Sequence, residues 1–212
     1  GNAALVTVMG DSVQFTYDDS SLYGTGNVIG NTIFFTPSDF KAESLDGAGL
    51  VQTSESLDVT VETLGSNLIE SFQVYESGDY KIFGAGASVS AIAELAVDSQ
   101  TTAYTDSVAF SAGALTTQNV LTDWSAGAAL DLGDTAGWET DTQVIMTLSN
   151  TLSATSLNAG VGETAFIEKK FYGSAIGITI DTMPPSSIVP VPAAAWLFGS
   201  ALGLLGWLRR RA

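Results

Sequence analysis

The sequence predicts an all-β fold, an antiparallel β-sandwich of jelly-roll-like form, followed by a single C-terminal hydrophobic helix. Two observations predict the sandwich: apolar and polar residues alternate in short segments that recur about every 8 to 15 residues, and glycine-rich turns separate these segments. No strong amphipathic helix interrupts the series, which favours two packed antiparallel sheets. The helix is predicted because residues 188–208 contain no ionisable side chain.

The clearest strand lies at residues 57–62, where Leu57, Val59 and Val61 alternate with polar neighbours. Residues 76–79 (Glu-Ser-Gly-Asp) have the composition of a turn, so we expect them to separate two strands. We expect the last two strands to pair with one another through a turn near Gly173. Further strands are predicted at residues 31–36, 68–75, 80–83, 84–98, 142–152, 165–172 and 174–182.

Three regions follow from this pattern: a β-sandwich ectodomain at residues 1–182, a linker rich in proline and serine at residues 183–192, and a transmembrane or sorting helix at residues 193–212. At ~1.5 Å per residue, the apolar part of the helix spans only ~24 Å, so the arginines that follow must extend to the membrane surface. Cations at this end predict a cytoplasmic C-terminus and an exported body. We also expect a signal peptide to have preceded Gly1.

The C-terminal segment combines a proline box, a glycine-spaced apolar run and a terminal arginine cluster. The residues concerned are Val189, Pro190, Val191, Pro192, Trp196, Phe198, Gly199, Arg209, Arg210 and Arg211. This combination resembles the PEP-CTERM sorting signal, in the variant that has Val-Pro-x-Pro where the more common form has Pro-Glu-Pro. The resemblance implies an exported Gram-negative envelope protein that an exosortase in the inner membrane processes. It also implies an association with exopolysaccharide.

Small residues recur along one stripe of the predicted helix. Ala195, Gly199 and Gly203 are spaced four residues apart, and this spacing allows helices to approach closely in lipid. Two interpretations stay open: the stripe packs against another helix, in a homo-oligomer or a larger membrane or extracellular assembly, or it belongs to the signal that the exosortase recognises.

Composition excludes several classes of function. The chain has 23 acidic and 7 basic residues and a formal charge of −16, so electrostatic repulsion argues against nucleic-acid binding. It has no histidine and no cysteine, which excludes a Ser-His-Asp triad, a cysteine nucleophile and the usual zinc sites. We therefore expect no enzymatic activity and no cofactor, except that hard cations could still bind to carboxylates.

The remaining carboxylates and lysines offer weak catalytic candidates. Asp58 and Glu62 share a strand face, but four residues along a strand separate their Cα atoms by ~13 Å, too far for a glycosidase pair. Lys169 and Lys170 are adjacent on a strand, so one side chain points inward and the other outward. We expect this lysine pair to protect a strand edge or to form ion pairs.

Two binding hypotheses concern the loop around residues 131–141. Asp131, Asp134, Glu139 and Asp141 are acidic oxygen donors in a glycine-rich loop, and such donors suit a structural Ca²⁺ ion. Trp138 lies in the same loop and is the aromatic residue that we expect to contact a glycan. Solvated acidic loops and a buried tryptophan are the alternatives.

Together these observations predict an exported structural or adhesive protein of the Gram-negative envelope or biofilm matrix. The inner membrane and an exosortase are the predicted partners. One alternative is an accessory or filament subunit whose retained helix packs in a larger assembly. Another, from a different class, is a carbohydrate-binding module.

Overall fold

The computed structural model describes residues 5–133, 135–138, 140–170 and 176–184. These ranges form thirteen β-strands in two antiparallel sheets and contain no helix. The prediction of an all-β sandwich is confirmed at this level. The predicted C-terminal helix, its sorting residues and its packing stripe (Ala195, Gly199, Gly203) lie outside the described residues.

The strands are β1 (Leu5–Met9), β2 (Val13–Asp18), β3 (Asn27–Ile29), β4 (Thr32–Phe35), β5 (Lys41–Leu45), β6 (Gly49–Thr63), β7 (Leu68–Phe83), β8 (Ser88–Ser99), β9 (Thr105–Ser111), β10 (Thr122–Asp131), β11 (Gln143–Ser156), β12 (Thr164–Lys169) and β13 (Ile176–Met183). The alternation of apolar and polar residues places one side of each long strand in the core. In β11 this alternation is complete, with every second residue buried from end to end.

The first sheet has the strand order β1-β2-β6-β11-β8-β9. Strand β11 lies at its centre and pairs with β6 on one side and β8 on the other. The second sheet is built on β7, which has β10 along one side and β12 and β13 along the other. Strands β5, β4 and β3 complete the outer part of this sheet.

Strands β12 and β13 follow one another along the same side of β7 and do not pair with each other. Lys169 at the end of β12 pairs with Gly78, and Ile176 at the start of β13 pairs with Glu76. Ser77 of β7 lies between these two pairs, and its carbonyl oxygen accepts the backbone N–H of Lys170 at 3.3 Å. The predicted closing hairpin near Gly173 is wrong, because both strands find their partner in β7.

Strand β7 is continuous through residues 76–79, where the sequence predicted a turn. Gly78 is in this strand because its neighbours leave no room for a side chain: a Cβ there would lie 1.9 Å from the carbonyl oxygen of Glu168 and 2.7 Å from Nε1 of Trp124. A glycine within a strand often marks such a close approach. The Ser-Gly pair that indicated a turn instead marks a site of dense packing.

The core lies between the two sheets, where β11 of the first sheet faces β5 and β12 of the second. Its buried apolar side chains, within the described ranges, run from Val13 to Ile180. Tyr17 and Tyr23 pack edge-on against Phe35, and Tyr23 also packs against Phe40. Among the described residues, no helix has the length and apolar character needed to span a membrane.

Candidate functional site

Four polar side chains meet inside this apolar core, and we call them the buried polar cluster: Tyr23, Glu76, Asn150 and Lys169. Each is at most 3% exposed. Glu76 and Lys169 come from β7 and β12 of the second sheet, and Asn150 comes from β11 of the first sheet. Strand alternation points all three side chains inward, and a buried Val, Leu or Ile lies two positions away along each of the same strands.

Glu76 is the centre of the cluster because each of its oxygens accepts a hydrogen bond. Lys169 Nζ lies 2.5 Å from Oε2, and Asn150 Nδ2 donates to Oε1 at 2.8 Å. Asn150 Nδ2 also donates to the hydroxyl of Tyr23 at 3.0 Å, and that hydroxyl lies 2.9 Å from the carbonyl oxygen of Leu148. One carboxylate therefore joins a lysine amine and an asparagine amide from opposite sheets.

Aromatic rings form the walls around the lysine amine. Lys169 Nζ lies 5.3 Å from the ring centroid of Trp124 and 5.6 Å from that of Phe40. Both distances fall within the range of a cation–π contact. The indole of Trp124 is fixed by a hydrogen bond of 3.1 Å from Nε1 to the carbonyl oxygen of Glu168. The glycine at position 78 lets this ring approach the strand.

The low polarity of these surroundings controls protonation in the cluster. Burial lowers the pKa of Lys169, and the adjacent Glu76 carboxylate opposes that shift. Burial also raises the pKa of the Tyr23 hydroxyl, against the hydrogen bond from Asn150. Withdrawal from water therefore favours a neutral amine on Lys169 and a neutral phenol on Tyr23.

A second buried carboxylate, Glu163, holds loops together at one end of the sandwich. Its Oε1 accepts a hydrogen bond from the backbone N–H of Gly86 at 2.6 Å, and its Oε2 accepts from those of Leu157 and Asn158 at 2.6 and 2.8 Å. The hydrogen bonds, led by that from the Asn158 backbone, lower the pKa of Glu163. This arrangement is structural, because backbone groups use both oxygens.

The outer face of the first sheet carries a regular series of side-chain hydrogen bonds between β6 and β11, which we call the hydroxyl ladder. Each pair joins residues that are directly opposite in the strand register. Four pairs form the ladder: Gln52 with Ser153, Ser54 with Thr151, Ser56 with Ser149, and Asp58 with Thr147. The ladder gives this face a polar surface of hydroxyl, amide and carboxylate groups.

The four residues of the calcium hypothesis are not seen to converge. Asp131 is exposed, and its Oδ1 accepts the backbone N–H of Gly133 at 3.0 Å. Asp141 is buried, and its Oδ1 accepts hydrogen bonds from the hydroxyls of Ser99 and Thr101. Asp134 and Glu139 lie outside the described residues. Within the described ranges, no group of three or more acidic side chains is placed to hold a metal ion, and the calcium site stays a prediction.

Trp138 does not present the exposed ring that the glycan hypothesis requires. Its side chain is 2% exposed and belongs to the core, where its ring lies 6.2 Å from that of Tyr104. A sugar stacks on an accessible aromatic face, and Tyr104 and the core enclose this one. This burial favours the alternative of a buried tryptophan, and the glycan contact at Trp138 stays a prediction.

Lys169 points into the core, as strand alternation predicted for one of the two adjacent lysines. Of the two roles expected for the lysine pair, ion pairing is confirmed: Lys169 pairs with Glu76 and Lys170 pairs with Glu168 at 3.4 Å. The strand-edge role is wrong, because β12 lies between β5 and β7. Sequence reasoning missed Glu76 and Asn150 altogether. The alternation of apolar and polar residues could have indicated that both side chains point inward, because each lies two residues from a buried apolar residue of its own strand.

No family model matches this chain, and no curated protein matches it. Among solved structures, one of the infectious bursal disease virus Gx strain is similar, with 12% identity and a TM-score of 0.31, over 86% of this chain and 41% of that chain. The enzymatically active domain of bacteriophage CBA120 tailspike protein 4 is similar with 10% identity and a TM-score of 0.25, over 85% of this chain and 20% of that chain. The chain spans less than half the length of either structure, and likenesses this weak carry no argument about function.

Proposed function

We propose that this chain is an exported structural or adhesive protein of a Gram-negative envelope or biofilm matrix, with no catalysis of external substrates. Its C-terminal apolar segment holds it at the outer face of the inner membrane, before or instead of processing by an exosortase. The observation that carries this proposal is the sorting-signal resemblance of residues 189–211, which directly follows the β-domain in the sequence.

The described fold supports the proposal in two ways. Strand β13 ends at Met183 and pairs with β7 on one side and β4 on the other, so it finds its backbone partners within the β-domain that precedes the apolar segment. The polar hydroxyl ladder and the strongly acidic composition suit a domain that works in a hydrated exterior. A dense, two-sheet core is the kind of scaffold that a structural role requires.

The test is sorting in a Gram-negative host that does or does not express an exosortase. We expect the intact chain in the inner-membrane fraction without the enzyme, and a shortened, released chain with it, both identified by intact mass. Replacing Arg209, Arg210 and Arg211 with serine should reduce the amount of chain retained in the membrane and the fraction of it that has a cytoplasmic C-terminus. Replacing the exposed Lys41 with serine is the matched control and should change neither. An intact chain in the soluble fraction under both conditions would contradict the proposal.

A second candidate, a subunit of a larger assembly, is favoured by apolar side chains at the sheet edges. Leu5 and Met9 on β1 and Ile29 on β3 are 76%, 58% and 74% exposed, and β1 and β3 lie next to each other at the same side of the sandwich. Exposed apolar edge strands pair readily with a strand of another chain. Light scattering should then report an oligomer that Met9→Lys disrupts and that the exposed substitution Leu157→Lys leaves intact.

A further inference from the structure

We propose that Lys169 and Asn150 form a covalent amide bond across the core, with Glu76 as the catalytic acid and base. The product is a secondary amide between Lys169 Nζ and Asn150 Cγ, and one ammonia is released. The bond joins β12 of the second sheet to β11 of the first. It makes the chain its own substrate.

The contacts of Glu76 bring the two reacting groups together. The amine lies at 2.5 Å from one carboxylate oxygen, and the amide nitrogen donates to the other oxygen at 2.8 Å. Amine and amide are therefore neighbours across a single carboxylate, which touches both the nucleophile and the leaving group. Holding reactants in such an arrangement replaces a bimolecular encounter by an intramolecular step.

The reaction balances without any further reactant. A proton passes from the Lys169 ammonium to Glu76, which leaves a neutral amine and a carboxylic acid. The amine then attacks Asn150 Cγ, the Nζ–Cγ bond forms, and the carbonyl electron pair moves to Oδ1. Glu76 transfers a proton from Nζ to Nδ2, the Cγ–Nδ2 bond breaks, the carbonyl re-forms and ammonia leaves. Glu76 ends the sequence protonated, with the proton that the ammonium lost.

The surroundings favour each part of this sequence. Burial lowers the pKa of Lys169 and so makes the neutral amine accessible. The rings of Trp124 and Phe40 and the apolar core exclude water, which would otherwise solvate the amine and hydrolyse an intermediate. Tyr23 helps to fix the amide, because Asn150 Nδ2 also donates a hydrogen bond to the Tyr23 hydroxyl at 3.0 Å.

The bond also accounts for a feature that is costly as a simple ion pair. Two opposite charges buried between apolar sheets lose their hydration, and the mutual attraction often fails to recover that loss. Amide formation removes the charge on the lysine permanently. Because the chain has no cysteine, no disulfide can join the two sheets, and this amide would supply the covalent connection.

Mass spectrometry of the full chain tests the proposal. We expect the intact mass to fall below the sequence mass by one ammonia, about 17 Da. Digestion with trypsin and a glutamate-specific protease should then give residues 140–163 joined to residues 169–170, because the linked Lys169 is no longer a trypsin site. The branched peptide is decisive, since cyclisation of an asparagine onto its own backbone also releases ammonia.

Glu76→Gln and Lys169→Arg should abolish both the mass loss and the branched peptide. Lys170→Arg, at the exposed neighbouring lysine, is the matched control and should retain both. Should the core variants fail to fold, the digest of the unaltered chain decides by itself. Recovery of residues 140–163 as a free peptide from folded protein, with cleavage after Lys169, would overturn the proposal and leave an ordinary buried hydrogen-bonded cluster.

Discussion

At the scale of single residues, Gly78 has no room for even one additional carbon. Its backbone is extended, so the obstacle is space: a Cβ would lie 1.9 Å from the Glu168 carbonyl oxygen. We expect Gly78→Ala to lower the free energy of unfolding by about 3 kcal/mol, measured by urea denaturation, because backbone or the Trp124 ring must move.

The matched control for this substitution is Gly133→Ala. A Cβ at Gly133 would lie 3.3 Å from Cγ of Glu70 and from Cε of Met183, side-chain atoms that can move aside. We expect a change below about 1 kcal/mol there. Equal effects at the two positions would contradict the explanation that the close approach of Trp124 and β12 to β7 requires glycine at position 78.

Glu163 makes the sandwich sensitive to acid. Its hydrogen bonds from backbone N–H groups lower its pKa in the folded state below that of the unfolded chain. The stabilisation is therefore present above the unfolded pKa of about 4.3 and is lost as pH falls through the lower folded value. Glu163→Gln should lower the urea midpoint at pH 7 and weaken the dependence of that midpoint on pH below about 4.3.

Glu43→Gln serves as the comparison, because Glu43 is exposed on β5 and no hydrogen bond to it is seen in the described residues. We expect its urea midpoint and its acid dependence to follow those of the unaltered chain. The structural role of Glu163 would be contradicted if Glu163→Gln and Glu43→Gln gave the same pH profile.

The buried polar cluster could be predicted from the sequence only in part. Alternation indicated that one of the two adjacent lysines points inward, and Lys169 does so. Its partner Glu76 is 93 residues away, and Asn150 is 74 residues from Glu76. Only the pairing register of β7, β11 and β12 brings them together, and no local pattern specifies that register.

At the scale of elements, β7 and β10 place two like charges opposite each other. Asp79 and Asp123 are direct cross-strand partners, and partial burial and then Asp123 raise the pKa of Asp79. We expect Asp123→Asn to raise the free energy of unfolding at pH 7 by about 0.5 kcal/mol, since like charges directly opposite are destabilising but solvent screens them.

The pH dependence gives the sign of this effect. A raised folded pKa means that folded Asp79 takes up its proton at a higher pH than the unfolded chain does, so the unaltered protein gains stability as pH falls through that value. The advantage of Asp123→Asn should shrink over the same interval. Asp106→Asn on β9, opposite Val97, is the control, and an equal gain there would contradict the pairwise explanation.

At the scale of elements, the alternation of apolar and polar residues predicted where strands exist, but it did not predict how they are connected and paired. Strands β6, β8 and β11 follow the predicted segments, because their apolar residues have a period of two. The continuity of β7 and the succession of β12 and β13 along it were missed. Turn-forming residues have the same composition whether they reverse the chain or mark a tight contact within a strand. The jelly-roll-like form stays a prediction, since it concerns strand order, which depends on long-range pairing.

At the scale of the whole molecule, the charge of −16 makes folding sensitive to cations. We expect the melting temperature to rise by a few degrees between low and physiological salt, as screening reduces self-repulsion. CaCl₂ compared with MgCl₂ at equal ionic strength tests the calcium hypothesis. A structural site would give an additional rise with calcium that EGTA reverses and that Asp131→Asn reduces, whereas identical melting curves would exclude it.

The division between domain and sorting segment leads to a prediction about truncation. The buried apolar side chains of the described residues end at Ile180, and β13 has partners on both sides. A chain ending at Pro184 should therefore have the same free energy of unfolding as the full chain in detergent, to within about 0.5 kcal/mol by urea denaturation. Ending the chain at Lys170 is the comparison: it removes β13 from between β4 and β7 together with Ile176, Ile178 and Ile180, and we expect it to abolish cooperative unfolding. If the chain ending at Pro184 also failed to fold, residues 185–212 would be part of the domain's own interior, and their role as a separate anchor would have to be abandoned.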